Sequence, residues 1–136
     1  MEVAAIVGPS GSGKTTLLCE LIAQFAAEGR RVAAIKHTHH PLDDRDRGDT
    51  ALFRRAGAVP VLLAGEGEAI RFEGDATARL RYEQPADLLR DLAADLVLIE
   101  GFSQFFGWPR IELDPTRRMS AAAARSILDR IWRHAP

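Results

Sequence analysis

Nine residues near the start of the chain, Gly8-Pro9-Ser10-Gly11-Ser12-Gly13-Lys14-Thr15-Thr16, constrain the fold more than any other stretch. They fit G-x-x-x-x-G-K-[ST], the Walker A pattern of a P-loop. The glycines let successive backbone N–H groups turn inward around phosphate oxygens, because they tolerate positive φ and carry no Cβ. In this pattern Lys14 reaches the β and γ phosphates, the Thr15 hydroxyl meets Mg²⁺, and the following helix adds its N-terminal dipole. The pattern has meaning only between a strand and a helix, and both are legible. Val3 to Val7 is a short apolar run of buried-strand type. Leu17, Leu18, Leu21, Ile22 and Phe25 form one helical stripe, closed by Gly29.

The rest of the chain repeats that alternation. Arg31 to Lys36 reads as a second buried strand, running into His37-Thr38-His39-His40 and a polar loop from Pro41 to Thr50. Asp49 or Thr50 is placed to cap a short helix carrying Leu52, Phe53 and Ala56. Val59 to Ala64 and Ala69 to Glu73 read as an antiparallel hairpin across Gly65-Glu66-Gly67-Glu68. Gly74 to Gln84 has no clear pattern. Pro85 suits the first turn of a helix holding Leu88, Leu89 and Leu92. Leu96-Val97-Leu98-Ile99-Glu100-Gly101 reads as a central strand, Phe102 to Pro109 as an aromatic loop, and Arg110 to Leu113 as a brief strand. Ser120 caps a last helix with Ala124, Ile127, Leu128 and Ile131 on one face, and Arg117, Arg118, Arg125, Arg130 and Arg133 read as its solvated side. The expected fold is a single α/β domain over residues 1–136: a P-loop NTPase-like three-layer sandwich with a mainly parallel sheet and an antiparallel hairpin.

Ligands of such sheets bind beyond the carboxyl ends of the strands. That rule gathers the Gly8–Thr16 loop, Lys36 to His40, and Glu100 to Ser103, with Gly101 between, along one edge. Glu100, after four apolar residues, has the setting of a Walker B acid, serving Mg²⁺ or an attacking water. Only Lys14 and Lys36 are lysines among 18 basic residues, so Lys36 also stands where a compact ammonium is wanted. His37 and His39 share a strand face. No cysteine supports them and the usual zinc spacings are absent, so they read, with Lys36, as contacts to a substrate or phosphate ahead of a structural metal. Cys19 is single and reads as packing.

A net charge of −1 offers no broad field for nucleic acid or an anionic membrane. No apolar run nears the ~18 residues of a membrane span, and strand plus P-loop is not a signal peptide. The expectation is a cytoplasmic chain. It contains no asparagine, so the Asn-Lys-x-Asp guanine signature is absent and the base stays open.

The P-loop, then Val32-Ala33-Ala34-Ile35-Lys36-His37-Thr38-His39-His40, Asp49-Thr50, Ala56-Gly57-Ala58, Leu96 to Phe102 and Arg110-Ile111-Glu112 together resemble the MobB family of molybdopterin-guanine dinucleotide biosynthesis, over roughly residues 2–113. The family usually has lysine where this chain has Ser103 and Arg110. The resemblance implies a GTP- and Mg²⁺-binding accessory protein with weak GTPase activity at most. It implies a homodimer that assists the molybdenum cofactor guanylyltransferase, with Lys36 and His37 facing a molybdopterin or molybdenum cofactor ligand. The rival reading is a small-molecule kinase, whose lid would be Pro41 to Gly48, carrying Arg45 and Arg47, or the aromatic loop.

Overall fold

The computed structural model describes residues 1–134. Strand β1 (Glu2–Val7) enters the P-loop, and helix α1 (Lys14–Ala27) leaves it. There follow β2 (Val32–His37), α2 (Asp49–Ala56), β3 (Val61–Ala64), β4 (Glu68–Glu73) and β5 (Ala76–Arg81). A 3₁₀ helix (Pro85–Leu89), β6 (Leu96–Glu100), β7 (Arg110–Glu112) and α3 (Ala121–Arg133) complete the order. One seven-stranded sheet runs β5-β4-β3-β2-β6-β1-β7. The five strands from β3 to β7 in that order are parallel, and β4 and β5 add antiparallel pairs at one edge.

This is the expected α/β class, and the β3–β4 hairpin pairs Leu63 with Ile70 and Ala64 with Ala69. The pleat sorts each central strand into two sets. Ala4, Ile6, Val32, Ala34, Leu96 and Leu98 join α1, α2 and α3 in one hydrophobic cluster. Leu17, Leu18, Leu21, Ile22 and Phe25 of α1 are at most 3% exposed, each contributing about 1.5–3 kcal/mol of burial. The alternate residues Ala5, Val7, Ala33, Ile35, Val97 and Ile99 face Leu88, Phe102 and Trp108. So the three α-helices cover one face of the sheet, and a 3₁₀ turn with the aromatic loop covers the other.

Four local expectations need correction. Residues 74–84, unreadable in sequence, contain β5, an edge strand whose side chains are exposed on both faces apart from the half-buried Leu80. With neither face buried, no period survives to be read. The helix expected to hold Leu88, Leu89 and Leu92 is a 3₁₀ helix ending at Leu89. Asp87 caps it by accepting from the backbone N–H of Gln84 at 2.9 Å and of Glu83 at 3.1 Å. Arg90 then turns extended and Asp91 is left-handed at φ 62°, which leaves Leu92 outside. Gly48, not Asp49 or Thr50, occupies the N-cap of α2, and no side chain caps it.

Finally, Arg117 and Arg118 precede α3, and Arg125 is no solvated face. Its guanidinium lies 4.1 Å from the Phe25 ring centroid and bonds both Glu28 oxygens at 2.7 Å. The Ser120 cap is as expected, its Oγ accepting from Ala123 N–H at 3.1 Å. Among the described residues no helix is long and apolar enough to cross a membrane.

Candidate functional site

Beyond the carboxyl ends of β1, β2 and β6 lies an open cleft of about 580 Å³. Its floor is the P-loop. Gly11 and Gly13 are left-handed at φ 82° and 92°, as the sequence required. Ser10, Gly11, Gly13, Lys14, Thr15 and Thr16 line the cleft, while Gly8, Pro9 and Ser12 shape the loop behind it. A Cβ on Gly8 would come within 2.9 Å of Ser12 Oγ and 3.0 Å of the Leu113 carbonyl, so the loop closes tightly there. Lys14 Nζ donates to the Gly8 carbonyl at 2.5 Å and the Pro9 carbonyl at 3.3 Å, holding the ammonium over the loop.

The centre of the cleft is a four-residue knot. The β2–β6 register sets Lys36 directly opposite Glu100, on one face of the sheet. Lys36 Nζ is accordingly 3.0 Å from Glu100 Oε1, and it is 2.9 Å from Asp49 Oδ2. The Thr15 hydroxyl lies 3.2 Å from both carboxylates. Glu100 is only 3% exposed, so its charge needs this company. Burial works against the Lys36 ammonium, but the Asp49 hydrogen bond and the charge of Glu100 outweigh it and hold its pKa above the ordinary 10.5.

Asp49 escaped the sequence reading, which saw only a helix cap in it. Its signal was the aspartate opening a helix straight after a loop that starts at the ligand edge. Arg118 escaped too, being read as helix surface. It lines the cleft, and its Nη1 would be 3.8 Å from a Cβ on Gly13.

Lys36 and His37 were expected together on a second ligand; both line the cleft, but the pleat sends their side chains to opposite faces of the sheet. His37 turns to the opposite face and stacks on Phe102, with ring centroids 4.0 Å apart and planes 6° from parallel. His39 returns to the same side, its ring 4.8 Å from His37. Burial and the neighbouring His39 lower the His37 pKa below its usual value, with Glu66 pulling the other way. Both histidines border the P-loop cleft and also a second groove of about 430 Å³, walled by Tyr82, Phe102 and Phe105.

Gly101 is the hinge between the two. It has φ 109°, and a Cβ there would lie 2.8 Å from the His37 Cβ. Phe102 follows, also left-handed at φ 55°, a conformation uncommon for a bulky residue and typical of a site that needs a side chain in one place. Ser103 and Arg110 prove to be linked. Arg110 Nη1 donates to the Ser103 carbonyl at 2.8 Å, and its guanidinium lies 4.5 Å from the Phe106 ring. Arg110 thus ties down the aromatic loop.

The cations of the loop from Pro41 to Gly48 are spent locally. Arg45 and Arg47 both bind Asp43, at 3.2 and 2.6 Å, and neither lines the cleft. The backbone N–H of Arg45 and its guanidinium pull the Asp43 carboxyl down to about 2. Arg54 holds Asp46 at 2.5 Å and Arg79 holds Asp44 at 2.7 Å. The two arginines of that candidate lid thus pair with Asp43 through exposed contacts, which are weak, and neither reaches the cleft in this structure.

Comparison with known proteins identifies the family. The family profile described as molybdopterin guanine dinucleotide synthesis protein B, MobB, matches residues 3–129, so the likeness extends into α3. A molybdopterin-guanine dinucleotide biosynthesis adapter protein of Haemophilus influenzae is 42% identical over 106 residues, 76% of this chain and 58% of that protein. The Escherichia coli protein of the same description is 39% identical, over 75% of this chain and 59% of its own length. The chain thus spans about three-fifths of these relatives. The crystal structure of a MobB homologue from Bacillus stearothermophilus superposes with TM-score 0.50 at 28% identity, covering 83% of this chain and 63% of that one. Bacillus subtilis MobB shares the fold with TM-score 0.51 at 20% identity, over 84% and 68%. With the P-loop, the Lys36–His40 run and the Glu100-Gly101-Phe102 corner all in place, the chain belongs to the MobB family.

Proposed function

We propose that this chain is a cytoplasmic, GTP-binding adapter in molybdopterin guanine dinucleotide biosynthesis, which assists the guanylyltransferase and hydrolyses GTP weakly at most. The observation that carries the nucleotide part is the knot of Thr15, Lys36, Asp49 and Glu100 beside the P-loop. Lys14 and the loop amides hold the phosphates, and Arg118 adds positive charge at the rim. The oxygen donors of Thr15, Glu100 and Asp49 suit a hard cation such as Mg²⁺. When bound, that ion neutralises charge on the phosphates. The role of Glu100 is then to keep the ion, or a water, beside Thr15.

Hydrolysis is weak in this reading because neither Arg45 nor Arg47 of the Pro41–Gly48 loop lines the cleft. The second groove, with His37 and His39 at its edge, takes the molybdopterin-type ligand. A second copy of the chain and the guanylyltransferase are the protein partners in this reading; the curated relatives' description as adapter proteins supports only a partner in that biosynthesis. Calorimetric titration with GTP and ATP in Mg²⁺ tests the base. GTP should bind modestly more tightly, and equal dissociation constants would remove the guanine assignment.

A further inference from the structure

Three side chains meet where the two clefts share a wall, and the nucleotide reading uses none of their geometry. His37 Nε2 lies 3.6 Å from Glu66 Oε1, and His39 Nδ1 lies 3.7 Å from the same oxygen. The three ligand atoms all fall within 4.8 Å of one another. At these distances neither imidazole hydrogen-bonds the carboxylate. What remains is three donors converging on one point with a gap between them.

We propose that His37, His39 and Glu66 form a site for a borderline divalent transition ion, with Zn²⁺ as the type. The donor set argues for the metal class. Two imidazole nitrogens and one carboxylate oxygen suit Zn²⁺ and its first-row neighbours, whereas Mg²⁺ and Ca²⁺ prefer oxygen alone. The spacing argues for the fit. Bonds of ~2.0–2.2 Å in a tetrahedron put ligand atoms about 3.3–3.6 Å apart, close to the two shorter separations found here. The remaining adjustment is small, and the groups that must make it are free to do so: the side chains of His39 and Glu66 are 81% and 83% exposed.

The other parts of the tripod are held. Stacking on Phe102 fixes the His37 ring. The Glu66 turn is pinned by Gly65 N–H to the Glu68 carbonyl at 2.8 Å, by Tyr82 N–H to the Gly67 carbonyl at 3.1 Å, and by the Tyr82 hydroxyl on the Gly65 carbonyl. Three protein ligands leave a fourth position open, as in exchangeable rather than structural zinc sites. His37, His39 and Glu66 all border the groove that Tyr82 and Phe105 wall, where water or an anionic oxygen or sulfur donor of a bound ligand would complete the shell. The site needs neither nucleotide nor Mg²⁺; it shares His37 and His39 with the groove that the proposed function gives to the second ligand, so it deepens that reading and is tested with metal alone. Sequence spacing missed it because Glu66 comes from the β3–β4 turn, far along the chain from the histidines.

The test uses the whole chain with excess Mg²⁺ present and Co²⁺ as the probe. One equivalent of Co²⁺ should develop the intense visible bands of a four- or five-coordinate ion, and Zn²⁺ should displace it. His39→Ala and Glu66→Gln, both exposed positions that leave the core intact, should each weaken Co²⁺ at least tenfold. His134→Ala, beyond α3, should leave the titration unchanged. A Co²⁺ spectrum that stays that of the hydrated ion overturns the site, as does binding indifferent to both His39→Ala and Glu66→Gln.

Discussion

Replacing Lys36 by methionine isolates the knot at the end of β2. The methionine keeps an unbranched apolar stem of similar length, so packing changes little and the loss is chiefly of charge. What remains is Glu100, whose side chain is 4% exposed, facing Asp49, 35% exposed, with Thr15 between them and no cation. Breaking a buried pair from one side costs about 3–5 kcal/mol, whereas an exposed pair is worth under about 1 kcal/mol. One partner here is buried and the other half-open, so the expected loss is about 2–3 kcal/mol. Urea unfolding at pH 7 in EDTA measures it. Mg²⁺ should recover part of the loss by supplying positive charge to the same carboxylates, and Glu100→Gln in the same chain should bring the cost of Lys36→Met below about 1 kcal/mol. The pH dependence has a definite sign. A lysine raised above 10.5 in the folded state contributes fully below that value and loses its contribution as pH rises through the folded pKa. The gap between wild type and mutant should therefore hold constant from neutral pH upward and close only beyond the ordinary lysine range. A mutant within about 0.5 kcal/mol of wild type, or a cost untouched by Glu100→Gln, refutes the reasoning.

Lys14→Ala should leave the fold intact and cost about 2–4 kcal/mol of triphosphate binding, read by calorimetry, since charge-assisted contacts to two phosphates are lost; unchanged affinity would remove the P-loop assignment. Glu100→Gln should weaken Mg²⁺-dependent nucleotide binding more than metal-free binding, and an identical Mg²⁺ dependence would reduce Glu100 to a partner of Lys36. Gly101→Ala should destabilise by roughly 1–3 kcal/mol in urea melts, because its φ of 109° strains any side chain and the new methyl meets the His37 Cβ at 2.8 Å; an unaltered midpoint would contradict that close approach.

How much of this was legible depended on whether a residue's role was local. The P-loop was readable because strand, glycines and helix are consecutive, and its lysine and threonine have fixed places in the pattern. Glu100 was readable because four buried residues run straight into it. The final helix announced itself through Ser120 and the spacing of Ala124 and Leu128, both fully buried. Asp49, Arg118 and Glu66 were not legible, because each reaches the site from a turn or helix start whose position depends on tertiary packing. Strand β5 was hidden for a different reason. It pairs through its backbone along one edge with β4 from Glu68↔Arg81 to Glu73↔Ala76, while its side chains stay in solvent and leave no hydrophobic record.

The end of β2 shows why the site has two chambers. Positions 36 and 37 are neighbours in sequence, yet the pleat sends one ammonium to the helix side of the sheet and one imidazole to the aromatic side. Register with β6 repeats the division one strand over, where Glu100 joins Lys36 and Phe102 joins His37. Gly101 must lie between those two with no side chain of its own, because His37 fills the space a Cβ would take. Two short runs, Lys36-His37 and Glu100-Gly101-Phe102, therefore build the wall between a phosphate cleft and an aromatic groove from adjacent backbone. The two chambers are thus joined by one peptide bond at the end of β2, Lys36–His37, and by two after β6, through Gly101.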